Sequence, residues 1–134
     1  MNKDDKKELK VTNFDDFQKV RNNFKDGEVV ELPAFDSGEP FTAKLKRLSL
    51  LELAKSEILP NQLLGVLQEV YEGKQKAEIK KYAQLLDIVC EQVLVEPKFN
   101  EIKDIITDVQ KLAILQYAQH GVSGLITFRK LIEL

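Results

Sequence analysis

Apolar residues recur along this chain at two different spacings, and the changes between them mark out its elements. Phe14, Phe17, Val20 and Phe24 follow the three-and-four spacing of an amphipathic helix. Asn13 supplies a cap with Asp16 at the third helical position, and the helix is expected to end before Asp26-Gly27. Residues 28–32 read as a strand stopped by Pro33. Asp36-Ser37-Gly38-Glu39 is turn chemistry. Residues 41–46 then alternate, placing Phe41, Ala43 and Leu45 on one face. The two strands are expected to pair as a hairpin. An isolated hairpin is marginal in water, so its apolar face must rest on helices or on a partner.

Helical spacing returns after the hairpin. Ser49-Leu50-Leu51-Glu52 is a capping-box pattern opening a helix with Leu50, Leu51 and Leu53, interrupted by Pro60. A second helix is expected over residues 61–71, with Leu63, Leu64, Leu67 and Val70 inward and Gly73 marking its end. The longest candidate helix covers residues 76–93. Ile79, Tyr82, Ala83, Leu86, Val89, Cys90 and Val93 form its buried face. Pro97 breaks that pattern, and Phe99, Ile102, Ile105 and Ile106 supply an apolar connection. Thr107-Asp108-Val109-Gln110 is a second capping box. The helix behind it carries Leu112, Ala113, Leu115 and Tyr117 and stops at His120-Gly121. A last helix is expected over residues 125–134.

Composition narrows the class. With 134 residues, 43% hydrophobic and 31% charged, the chain fits one globular domain with a real core. We expect an α+β, mostly α fold: a single helical domain over residues 11–134 with a β-hairpin in the N-terminal third, behind a flexible charged tail over residues 1–10. A net charge of −2 gives no global pull toward nucleic acid or anionic membrane. One cysteine cannot form an internal disulfide and points to a reducing compartment. The first ten residues have no apolar core of a secretory signal, and no apolar run approaches the roughly 20 residues of a membrane span. A cytoplasmic protein is expected.

Nothing in the sequence assembles a catalytic set. Cys90 lies on the apolar stripe of the longest helix, where a buried thiol is inert. His120 falls in the last turn of its helix, where a cation suits the helix dipole. One Cys and one His cannot close a zinc site. Glu101, Asp104 and Asp108 would share a face only if their segment were continuously helical, and Thr107-Asp108 reads instead as a helix start. No phosphate-cradling GxxxxGK[ST] or GxGxxG pattern occurs. No catalytic, cofactor or metal residue is assigned, and a non-enzymatic role is expected.

Two basic clusters remain. Lys44, Lys46 and Arg47 lie on or just after the second strand, and Lys74, Lys76, Lys80 and Lys81 open the long helix. Gathered on one face they would suit a small nucleic-acid-associated regulator. Dispersed, they are a solvated surface diluted by Glu72 and Glu78. A protein-binding surface is the other candidate. Phe35, Ile58 and Leu59 sit beside turn residues, and Phe41 and Leu45 lie on the hairpin face. These five either dock a partner or fasten loops to the core.

The order VVELPAFDSGEPFTAKLKRLSLLELAKSEILPNQLL, then VCEQVLVEPKFNEI, then ITDVQKLAILQYAQHGVSGLITFRK resembles the tail assembly chaperones of long-tailed phages and prophages of Gram-positive bacteria. The likeness spans about residues 28–130. It lies in the strand-turn-strand leading into SLLEL and the ILPN corner, the VEPKF break, and the ITD cap before AQHG. The resemblance implies a protein that coats the long, helical, aggregation-prone tape measure protein. Tail tube subunits would displace it as they add, and the finished virion would lack it. It also implies correspondence to the short form of a family in which some members have a frameshifted longer form. Partners implied are the tape measure protein and the tail tube protein. Apart from the resemblance, a lone hairpin edge and exposed apolar residues can pair with further copies of the chain. No membrane is expected, and the acidic net charge disfavours nucleic acid.

Overall fold

The computed structural model describes residues 8–74 and 76–121. Residues 1–7 of the charged tail and the helix expected over residues 125–134 lie outside them. The fold is α+β and mostly helical. In chain order it runs α1 (Phe14–Asp26), β1 (Glu28–Leu32), β2 (Phe41–Leu45), α2 (Leu50–Lys55), a 3-10 turn (Asn61–Leu63), α3 (Leu64–Glu72), α4 (Ile79–Val93), β3 (Leu94–Glu96), α5 (Phe99–Ile102) and α6 (Asp108–His120).

The hairpin forms where the alternation places it. β1 and β2 pair antiparallel from Glu28 opposite Leu45 to Leu32 opposite Phe41. The Phe35 N–H donates to the Glu39 carbonyl at 2.9 Å, and Gly38 takes the positive φ that closes the turn. The hairpin is not alone, however. β3 adds to the far edge of β2, with Leu94 opposite Leu45 and Glu96 opposite Lys44, making a three-stranded sheet in the order β1-β2-β3. Leu94-Val95-Glu96 continues the apolar run of α4 without a break in composition, so no sequence signal separates the strand from the helix.

Val30, Leu32, Phe41, Ala43 and Leu45 turn inward from the sheet and meet α4 and α6 in one core. Side-chain caps fix two helix starts, and the one at Thr107 is a reciprocal capping box. Ser49 Oγ accepts the Glu52 N–H at 3.2 Å, and Thr107 Oγ1 accepts the Gln110 N–H at 3.1 Å. Gln110 also anchors α6 to the hairpin. Its side chain is fully buried, accepting from the Thr107 N–H and donating across the core to the Pro33 carbonyl, both at 2.9 Å. A buried amide with both ends satisfied costs little and fixes register.

Two expectations about inward faces are corrected. Leu64 is exposed and Val66 is buried in its place. The 3-10 turn ahead of α3 winds three residues per turn, which rotates the inward face away from the α-helical reading of residues 61–71. Ile79 and Ala83 are exposed, while Leu85 is buried. The buried ridge of α4 runs Leu85–Val89–Val93 at four-residue steps against α6, with Cys90 beside it. Leu51, carried in α2 with Leu50 and Leu53, faces solvent. No helix among the described residues is long and apolar enough to cross a membrane.

Candidate docking surface

The amphipathic helix nearest the N-terminus leaves its apolar stripe uncovered. Asn13 caps α1 by accepting the Asp16 N–H at 2.9 Å, as the sequence predicts. Phe14, Phe17, Val20 and Phe24 keep 64%, 58%, 52% and 41% of their surface exposed. The decline toward Phe24 follows the attachment of the helix. Its C-terminal end meets β1 at Gly27, whose φ of 81° is left-handed. A Cβ there would stand 2.8 Å from the Leu45 carbonyl oxygen, so the close crossing of backbones requires glycine. The Arg47 guanidinium lies 5.5 Å from the Phe24 ring centroid. Arg47 Nε is buried and without a hydrogen-bond partner, so the ring face meets a cation only partly satisfied elsewhere.

From Phe24 the apolar surface continues around the body. A pocket of about 550 Å³ is lined by Phe24, Arg47, Leu51, Tyr71, Gln119 and His120, among others. The last three also line a second, larger groove of about 860 Å³ between α3, α4 and α6. Ile79, Leu86, Leu112 and Leu115 supply its apolar walls, and Glu72, Lys74 and Asp108 add charge. Exposed Leu51, Tyr71 and Ile79 therefore belong to one track that starts on α1 and ends beside α4.

The loop forming one rim of the larger groove is pinned by a single carboxylate. Glu69 Oε1 accepts from the Lys76 N–H at 2.6 Å, the Ala77 N–H at 2.9 Å and the Tyr82 hydroxyl at 2.5 Å. The Tyr82 hydrogen bond, with the backbone donors behind it, holds the Glu69 carboxyl below its usual value. Gly73 ends α3 in the left-handed conformation, which turns the chain into this loop.

Chemical groups elsewhere are occupied structurally. Burial pushes the Cys90 thiol up to about 12, so it stays protonated and unreactive at neutral pH. Lys111 donates to Asp87 at 2.8 Å, which raises the lysine's pKa, and sits 5.7 Å from the Phe99 ring centroid. Among the described residues, no group of three or more His, Cys, Asp or Glu side chains could hold a metal ion. Of the lysines in the second basic cluster, Lys74 pairs with Glu72 at 3.7 Å.

The five residues singled out in the sequence separate. Phe41, Leu45 and Leu59 are buried in the chain's own core and present no side chain to a partner in this fold. Phe35 is half-buried, its ring 5.3 Å from that of Phe41, so it fastens the hairpin turn. Ile58 stays 54% exposed. The α1 stripe was legible as a helix face but not as a surface, because the same spacing describes a helix packed on a core. Comparison with family models, with curated proteins and with solved structures finds no match for this chain.

Proposed function

We propose that this chain is a non-enzymatic tail assembly chaperone that binds the tape measure protein and keeps it soluble while the tail tube assembles. It would act in the bacterial host cytoplasm and be absent from the mature virion. The observation that carries the reading is the uncovered apolar track running from Phe14 on α1, past Leu51 and Tyr71, to Ile79 on α4. The ordered resemblance over residues 28–130 supplies the identity of the client.

The physics of a holdase fits such a track. A long helical client exposes apolar stripes, and a helix laid along an apolar groove removes them from water. Binding must also be reversible, because tube subunits displace the chaperone. Three phenylalanines at roughly half exposure offer on the order of 300 Å² of apolar area, a modest driving force compatible with release.

Co-expression with the tape measure protein of the same genome tests the reading. A soluble complex that purifies together is expected. A tape measure protein equally soluble alone, with no complex, would remove the proposal.

A further inference from the structure

We infer that the α1 end of the track selects a client helix whose apolar stripe is edged by acidic residues. The inference rests on the docking reading above and names the chemistry of its ligand. Arg21 and Lys25 follow Phe17 at successive four-residue steps, so they line one edge of the stripe, and both are exposed. Arg47, over the Phe24 ring, adds a third cation at the C-terminal end of the stripe. The opposite edge is led by Asp16, which accepts the Asn13 N–H at 3.4 Å and so is turned into the helix cap. The stripe is therefore basic on its free edge, although the whole chain carries a net charge of −2. A helix with glutamates or aspartates beside its apolar face meets this edge with complementary charge. One with lysines there is repelled.

A second copy of the chain is the competing occupant. A symmetric pairing of two α1 stripes would set Arg21 and Lys25 near their own copies. It would also cover on the order of 300 Å² of each chain's phenylalanine surface, against about 800 Å² per partner in a stable interface. A longer helix that runs on from α1 over Leu51 and Tyr71 has neither difficulty.

Two synthetic amphipathic peptides of about 20 residues, long enough to span the α1 stripe as helix, test this by fluorescence anisotropy. They share a leucine stripe and differ in having glutamate or lysine at its edges. The full chain should bind the glutamate peptide at least about tenfold more tightly, with an advantage that shrinks as salt rises. The Arg21→Glu/Lys25→Glu double variant, with its melting curve confirming the fold, should reverse the preference. Equal binding of both peptides, or a double variant that leaves the preference unchanged, would overturn the inference. So would concentration-dependent self-association that Val20→Asp abolishes. Co-purification of the tape measure protein separates the two claims. A complex that survives the double variant undiminished removes the charge selection alone, whereas no complex with the unaltered chain removes the docking reading itself.

Discussion

Phe24 lies face-on to Arg47, with the guanidinium carbon 5.5 Å from the ring centroid, and this contact couples α1 to the sheet and to the first pocket of the track. Phe24 is also the least exposed member of the α1 stripe, so the helix is held at one end and open at the other. Phe24→Leu keeps an apolar residue but removes the ring. It should lower stability by about 0.5–1 kcal/mol, the worth of a cation–π contact near the surface. Amide hydrogen exchange should speed up in α1 while β1 and α6 keep their protection. Uniform acceleration through all three would contradict this coupling.

Tyr117 ties the end of α6 to the start of the sheet. Its side chain is buried, and its hydroxyl donates to Glu28 Oε1 at 2.6 Å with the Leu45 carbonyl 3.4 Å away. Burial, and then the Glu28 carboxylate, hold the phenol above its ordinary value. Tyr117→Phe should cost about 1.5–3 kcal/mol in urea unfolding, because the carboxylate loses a charge-assisted hydrogen bond. A loss under half of a kcal/mol, roughly, would mean that water replaces the hydroxyl at no cost.

The Glu69 carboxylate gives the groove rim a pH dependence of known sign. Its folded pKa lies below the unfolded value, so its contribution is full above the unfolded carboxylate range. That contribution disappears as pH falls through the folded pKa. Tyr82 is shifted upward, first by burial and then by Glu69, so its share is present below the unfolded phenol value and disappears as pH rises through the folded one. Glu69→Gln should flatten the acid limb of a stability-against-pH profile and leave a smaller difference from the unaltered chain at low pH than at neutrality. Parallel profiles would show that the carboxylate does not organise the loop.

The structure divides Leu45 from Ile58, which the sequence alone leaves together as candidates. Leu45 is fully buried between the sheet and the helices. Leu45→Ala should destabilise by about 2–5 kcal/mol, while Ile58→Ser should stay within about 0.5 kcal/mol. Chemical unfolding of both variants distinguishes them directly, and similar costs at the two positions would contradict the packing described.

Local signals were the legible part of this fold. Asn13, Ser49 and Thr107 cap the helices they announce, and the alternation of Phe41, Ala43 and Leu45 gives the inner face of the sheet. What failed to show was set by contacts distant in sequence. β3 exists because Leu94 and Glu96 reach β2, some fifty residues earlier, and three residues carry no period of their own. The buried role of Gln110 depends on Pro33, and a polar residue gives no sign from sequence that its partner lies across the core. The surface was hidden for a related reason. Phe14, Phe17, Val20 and Phe24 have the spacing of a core-facing stripe, and only their exposure in the fold separates a covered face from an open one.

The most direct measurement pairs the tape measure protein with the full chain and with a Phe17→Ser/Val20→Asp variant, in the same co-expression and co-purification. Both altered residues are more than half exposed, so the variant should keep the melting temperature of the unaltered chain within a few degrees, roughly. The expected result is a soluble complex with the unaltered chain and an insoluble, unaccompanied tape measure protein with the variant. A variant that folds and holds the tape measure protein in solution as well as the unaltered chain does would contradict the account.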